Sequence, residues 1–240
     1  MVVKSIIKLI KSLQQKKYRY EHQLFVVEGR KSVEELLESA IECYGIYYNS
    51  DSDLFDSHSK AQQVSSKELA QMSSLKTPPG VLGVFHMPSL PQIESDGWSV
   101  VLDDIRDPGN LGTIVRLCDW FGVKQLICSK QTVDCYNPKT LQATMGSISR
   151  VQIHYVDLKD FLAQTDLPIY GAFMDGASVY EEPLADKGLL LMGNEANGIS
   201  EELQEFISNK ISIPSFGDAT TESLNVAMAT GILLNEIRRS

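Results

Sequence analysis

The sequence predicts an α/β protein built around a parallel sheet, and three observations carry that prediction. Short apolar runs of strand character alternate with helical periods through both halves of the chain. The run Leu189-Leu190-Leu191-Met192 has no polar face, as expected of a strand covered on both sides in a parallel sheet. Pro88, Pro91 and the polar Glu94-Ser95-Asp96-Gly97 carry no apolar period and read as a linker. That linker divides the 240 residues into a small domain over 1–90 and a larger one over 91–240.

The first domain opens on an amphipathic basic helix over residues 2–16, with Val3, Ile6, Ile10 and Leu13 at helical spacing and lysines between them. Leu24 to Val27 reads as a buried strand closed by Glu28-Gly29, and Ser32 to Ala40 as a helix. Tyr44 to Tyr48 is a second strand. Ser65 or Ser66 can cap a helix over Lys67 to Met72, with Glu68 in its first turn. Val81 to Phe85 is a third strand.

In the second domain strands are expected over 100–102, 125–128, 151–155, 168–173, 188–192 and 211–213. Helices are expected over 112–121, 157–163, 201–207 and 222–237. No internal repeat or low-complexity tract interrupts them.

Composition narrows the function. No apolar run is long enough to span a bilayer, and the N-terminus lacks the pattern of a signal peptide, so the chain is expected in the cytoplasm without a membrane partner. Cys43, Cys118, Cys128 and Cys135 form no CxxC pair, and the four histidines are scattered, so neither a disulfide framework nor a metal site is expected. The net charge of −9 weighs against nucleic acid only until its distribution is considered. Lys4, Lys8, Lys11, Lys16, Lys17, Arg19, Arg30 and Lys31 crowd the first 31 residues, opposed there by Glu21 and Glu28 alone. An acidic chain with one basic arm can still hold RNA.

Ligands of an open parallel sheet bind beyond the carboxyl ends of its strands. Three such ends carry unusual residues. Asp103 to Gly112 leaves a strand and opens a helix, with Gly109 and Gly112 to bend the backbone, Asn110 as a candidate cap and Arg116 one turn further in. A helix start beside an arginine suits a phosphate. Met192-Gly193-Asn194-Glu195-Ala196-Asn197-Gly198 follows the most apolar strand. There Gly193 permits close backbone approach to a ligand, and Asn197-Gly198 signals a turn. Ile213-Pro214 leads through a polar loop to Glu222-Ser223-Leu224-Asn225-Val226-Ala227. Each loop taken alone also has a plain account as a capped turn, with Thr221 or Ser223 capping the last helix. GxGxxG, GxxxxGK[ST] and GxSxG motifs are all missing, which removes the common dinucleotide, P-loop and hydrolase readings.

Taken together the three loops resemble the SpoU (TrmH-type) family of RNA ribose methyltransferases in the SPOUT superfamily. The resemblance rests on Leu102 to Arg116, on Met192-Gly193-Asn194-Glu195, and on Ile211-Ser212-Ile213-Pro214 with Glu222 to Ala227, all in the family's order. Lys16-Lys17-Tyr18-Arg19 and Phe25-Val26-Val27-Glu28-Gly29 resemble its substrate-binding domain. The resemblance implies a small α/β RNA-binding domain followed by a parallel α/β domain with a C-terminal trefoil knot, working as a homodimer. It implies S-adenosylmethionine as cofactor, held by backbone around Gly193, Ile213 and Leu224. It links Asn110, Arg116, Glu195, Ser223 and Asn225 to catalysis of 2′-O-methylation, on structured RNA, ribosomal in preference to transfer RNA. Competing readings are a non-catalytic RNA-binding relative and an α/β enzyme that takes a free nucleotide through the Asp107–Gly112 turn.

Overall fold

The computed structural model describes residues 3–49, 55, 58–217 and 223–239, so the expected helix residues Val2 and Glu222 and the candidate cap Thr221 lie outside it. In chain order the elements are α1 (Lys4–Ser12), α2 (Lys16–His22), β1 (Leu24–Glu28), α3 (Arg30–Leu37), β2 (Cys43–Tyr48), β3 (Ala61–Gln63), α4 (Ser66–Met72), β4 (Val81–His86), β5 (Trp98–Leu102) and α5 (Pro108–Trp120). They continue with β6 (Gln125–Ser129), α6 (Pro138–Thr144), β7 (Gln152–Val156), α7 (Leu158–Ala163), β8 (Ile169–Ser178), β9 (Gly188–Met192), α8 (Glu201–Gln204), β10 (Asn209–Ser212) and α9 (Val226–Arg239). Two compact units form: one from Met1–Ser89 with Asp134–Ser149, the other from Leu90–Val133 with Arg150–Ser240. Residues 134–149, which the sequence reading leaves in the second domain, thus pack with the first.

The first unit is a four-stranded sheet in the order β1-β4-β2-β3, antiparallel except for the β2–β3 pair. The apolar stripe of α1 buries Ile10 and Leu13 with Leu24, Leu69, Met72, Leu82 and Val84. Instead of one helix over 2–16, the chain breaks after Ser12 and restarts at Lys16. Ser65 caps α4 in a full capping box, its hydroxyl accepting from the Glu68 amide while the Glu68 carboxylate accepts from the Ser65 amide. Helix α6 was not expected, although Asn137 caps it and Pro138 sits at its first position, the arrangement that favours a helix start.

A buried ion pair fastens α2 to the later segment. Arg19, 3% exposed, meets the Asp134 carboxylate at 2.5 Å, with Asp134 itself 5% exposed. The guanidinium also donates to the carbonyls of Leu13 and Gln14 at the break between α1 and α2. The second carboxylate oxygen accepts from Tyr20 Oη at 3.2 Å and from the Tyr136 amide at 3.1 Å. Burial, and then the nearby Asp134 charge, push the Tyr20 phenol well above its ordinary range, so it stays a proton donor. Every polar atom of the pair is therefore partnered, which a buried charge requires.

The second unit is a six-stranded sheet in the order β10-β8-β9-β5-β6-β7, parallel at every pair. Strand β9 is central and wholly buried, as its run of leucines requires. Leu189, Leu191, Val101, Ile127 and Ile169 form the core of one face with Leu158, Leu162 and Leu203. Several element ends differ from expectation. Helix α8 stops at Gln204, β8 runs on to Ser178, and α5 begins at Pro108 because Asp107, not Asn110, is its cap. All four cysteines are buried, and none is in a disulfide.

Removing one partner of the Arg19–Asp134 pair leaves the other charge buried alone. Asp134→Ala is expected to cost about 3–5 kcal/mol in urea denaturation, against about 1 kcal/mol for Tyr20→Phe, which removes a single hydrogen bond.

Candidate functional site

The C-terminal ends of β5 and β9 lie side by side in the sheet, and their loops are bound to each other. The Asp103 amide donates to the Met192 carbonyl at 2.9 Å. The Asp103 carboxylate accepts from the Ser200 amide at 2.8 Å, and Asn194 Nδ2 donates to the Asp104 carbonyl at 2.7 Å. From the other side Ser129 Oγ accepts from the Asp104 amide, and Thr132 Oγ1 accepts from the Ile105 amide. The backbone at Asp104 is left-handed, at φ 54°, a conformation open to aspartate.

The loop after β9 is a tight hairpin. Asn194 and Gly198 exchange both backbone hydrogen bonds, and Asn194 Oδ1 accepts from the amides of Ala196 and Asn197. A Cβ on Gly193 would stand 2.2 Å from the Gly198 carbonyl carbon. The closeness of its own hairpin thus already requires a glycine at this position. Gly198 takes a positive φ of 68°, as the Asn-Gly signal anticipates.

The loop after β10 reaches the same place through its far end. Asn225 caps α9, its Oδ1 accepting from the amides of Ala227 and Met228. The alternative cap, Ser223, lies before the helix, which begins four residues later than expected. Asn225 Nδ2 donates to Asn110 Oδ1 at 3.0 Å, and Asn110 Nδ2 donates to Glu195 Oε1 at 2.7 Å. Asn110 can do this because Asp107 caps α5, accepting from the Asn110 amide and leaving the Asn110 side chain free.

Asn225, Asn110 and Glu195 thus form one chain of hydrogen bonds across three loops. They line an open cleft of about 660 Å³ together with Arg106, Asp107, Asn194, Ala196 and Asn197. Arg106 is held by Asp104 at 2.8 Å. The cleft presents two carboxylates and a set of amides, a donor set suited to hydroxyls and to a cation. Among the described residues Arg116, Ser223, Gly193, Ile213 and Leu224 are not in that lining. Arg116 stands on the exposed side of α5 with Thr113 and Trp120, and it has no ion-pair partner among the described residues. Asp103, Asp107 and Asn194 were not singled out from sequence. The signal for each was present, as a carboxylate at a strand end, an Asp-Pro at a helix start, and an Asn two residues before a turn. No cluster of His, Cys, Asp and Glu among the described residues could hold a metal ion.

Residues 97–235 match the model of the SpoU rRNA Methylase family, and residues 4–83 match the MRM3-like substrate binding domain. The chain is 31% identical over 236 residues to the 23S rRNA (guanosine(2553)-2′-O)-methyltransferase RlmP of Bacillus subtilis, covering 95% of this chain and 94% of that one. A TrmH-family protein of Porphyromonas gingivalis superposes with a TM-score of 0.90 at 36% identity, over 100% of this chain and 99% of the other. An AdoMet-bound rRNA methyltransferase from Sinorhizobium meliloti superposes with a TM-score of 0.88 at 30% identity, over 100% and 96%.

The cap at Asn225 can be separated from its place in the hydrogen-bond chain. Asn225→Ala is expected to lose about 1 kcal/mol in thermal unfolding, and Asn225→Asp, which caps as well, to recover at least half of that loss.

Proposed function

Because the chain belongs to the SpoU rRNA methylase family, we propose that it methylates a ribose 2′-hydroxyl of ribosomal RNA, with S-adenosylmethionine as methyl donor. The observation that carries this reading is the Asn225–Asn110–Glu195 chain, which draws the three motif-bearing loops onto one cleft. The lining fits the donor: its two carboxylates, Asp107 and Glu195, outnumber the one guanidinium, Arg106, which Asp104 already neutralises, and the amides suit the donor's ribose hydroxyls. We assign its adenosyl part to the loop backbone about Gly193, Ile213 and Leu224. When bound, the cofactor supplies an electrophilic methyl on a sulfonium, already a good leaving group.

The work left to the protein is positioning and charge stabilisation. The ribose oxygen gains the methyl and loses its proton, so negative charge develops on it. A guanidinium stays protonated in a protein, which makes Arg116 a clamp for the RNA phosphate and a stabiliser of that oxygen, and not a base. The proton leaves to the phosphate or to water. Ser223 and Asn225 orient the ribose, and Asn110 and Glu195 hold Asn225 in place.

In this reading the enzyme is a cytoplasmic homodimer whose C-terminal part is threaded as a trefoil knot, and whose first unit selects the RNA. Exposed apolar side chains on α5 and α9 support the dimer. Trp120 on α5 is 84% exposed and Met228 on α9 65%, with Arg116 on the same side of α5 as Trp120. Such aromatic and sulfur-bearing groups are typical of an interface. Four free thiols suit a reducing compartment.

Radiolabelled methyl transfer to total RNA from cells lacking the protein tests the reaction. Label is expected at a 2′-oxygen in ribosomal RNA, and binding of S-adenosylmethionine without transfer to any RNA would instead mark a non-catalytic relative. Arg116→Lys is expected to lose most turnover, since a point charge cannot replace a bidentate fork. Trp120→Glu is expected to shift the protein from dimer to monomer in sedimentation equilibrium.

A further inference from the structure

Six of the 22 Lys and Arg residues fall within residues 3–20, a stretch with no Asp or Glu, while the other sixteen share the chain with all 31 acidic residues. A protein of net charge −9 thus carries one strongly basic strip. Half of that strip is otherwise engaged. Arg19 is buried against Asp134. Lys16 and Lys17 lie 5.6 and 5.7 Å above the rings of Tyr20 and Tyr18. The remaining three, Lys4, Lys8 and Lys11, follow at i, i+4 and i+7 on α1 and are all exposed. None of them has an ion-pair partner among the described residues. At 1.5 Å rise per residue the row is about 10 Å long.

Two kinds of polyanion could meet such a row, a nucleic acid or an anionic lipid surface. The opposite side of α1 decides between them. Ile6, Ile7 and Ile10, with Leu13 just beyond, pack into the core of the first unit, so the helix has no free apolar face to sink into acyl chains. What it offers is a fixed line of ammonium groups on a rigid element, which matches a line of phosphates. We infer that Lys4, Lys8 and Lys11 form the phosphate-binding face by which the first unit grips the RNA substrate, an inference that rests on the RNA methyltransferase reading above. Such contacts add affinity and orientation but do not read bases, so the choice of nucleotide lies elsewhere.

The test uses the full chain with Lys4→Gln, Lys8→Gln and Lys11→Gln combined, beside the corresponding triple Arg variant. A control removes the same charge at Lys67, Lys159 and Lys187, all exposed and outside the row. Binding to ribosomal RNA from cells lacking the protein is followed across about 50–300 mM salt. The triple Gln variant is expected to lower the slope of log affinity against log salt by about 2, with the Arg triple and the control unchanged. In methyl transfer its KM should rise roughly tenfold near physiological salt while kcat holds. An unchanged slope, or an equal loss in the control, overturns the proposal. So does lysine-dependent binding to phosphatidylserine vesicles with RNA affinity intact. Should the parent chain transfer no methyl to any RNA, the functional reading falls, and the salt slope still decides the lysine face.

Discussion

The site hangs on one side-chain amide. Asn110 has a donor and an acceptor, and it spends the donor on Glu195 and the acceptor on Asn225. Those two partners stand 30 residues apart in sequence on separate loops. A carboxylate in its place has no donor and could not hold both. The amide is available only because Asp107 accepts from the backbone of residue 110 and relieves it of capping. Asp107 in turn holds that position because Pro108 fixes the first helical φ beside it. A local rule about helix starts thus determines which group faces the cleft.

The parallel sheet explains why the loops meet at all. With every pair parallel, all six strands point the same way, and the loops that follow β5, β9 and β10 leave from one edge. Strands β5 and β9 are neighbours, so their loops exchange hydrogen bonds directly. Strand β10 lies at the sheet margin beyond β8, yet Asn225, at the start of α9, reaches Asn110.

Much of this was legible in the sequence, and the failures have physical reasons. The leucine run of β9 admits one reading, since no polar face is left for solvent. The loops stood out because Gly, Asn and Asp collect where strands end. The cap of α5 was misread because Asp107 and Asn110 are both good capping residues three positions apart, and the choice turns on Pro108 between them. The close packing of Gly193 against Gly198 in its own hairpin is not legible in the sequence, because sequence does not distinguish one close approach from another. The pairing of Arg19 with Asp134 spans 115 residues and leaves no periodic trace in either segment. Without it, nothing in residues 134–149 marks them as belonging with the first unit.

That discontinuity bears on how the chain is made. Synthesis delivers residues 1–89 first, but Asp134, Tyr136 and α6, which complete that unit, arrive up to 60 residues later. At roughly 5–20 residues per second the nascent N-terminal part waits roughly 3–12 s for them. During that interval Arg19 has no buried carboxylate to meet, and Phe25, which stacks on Tyr136 at 4.7 Å in the finished protein, lacks its cover. The first unit therefore gains its last buried partners only after residues 90–133, which belong to the second unit, have been made.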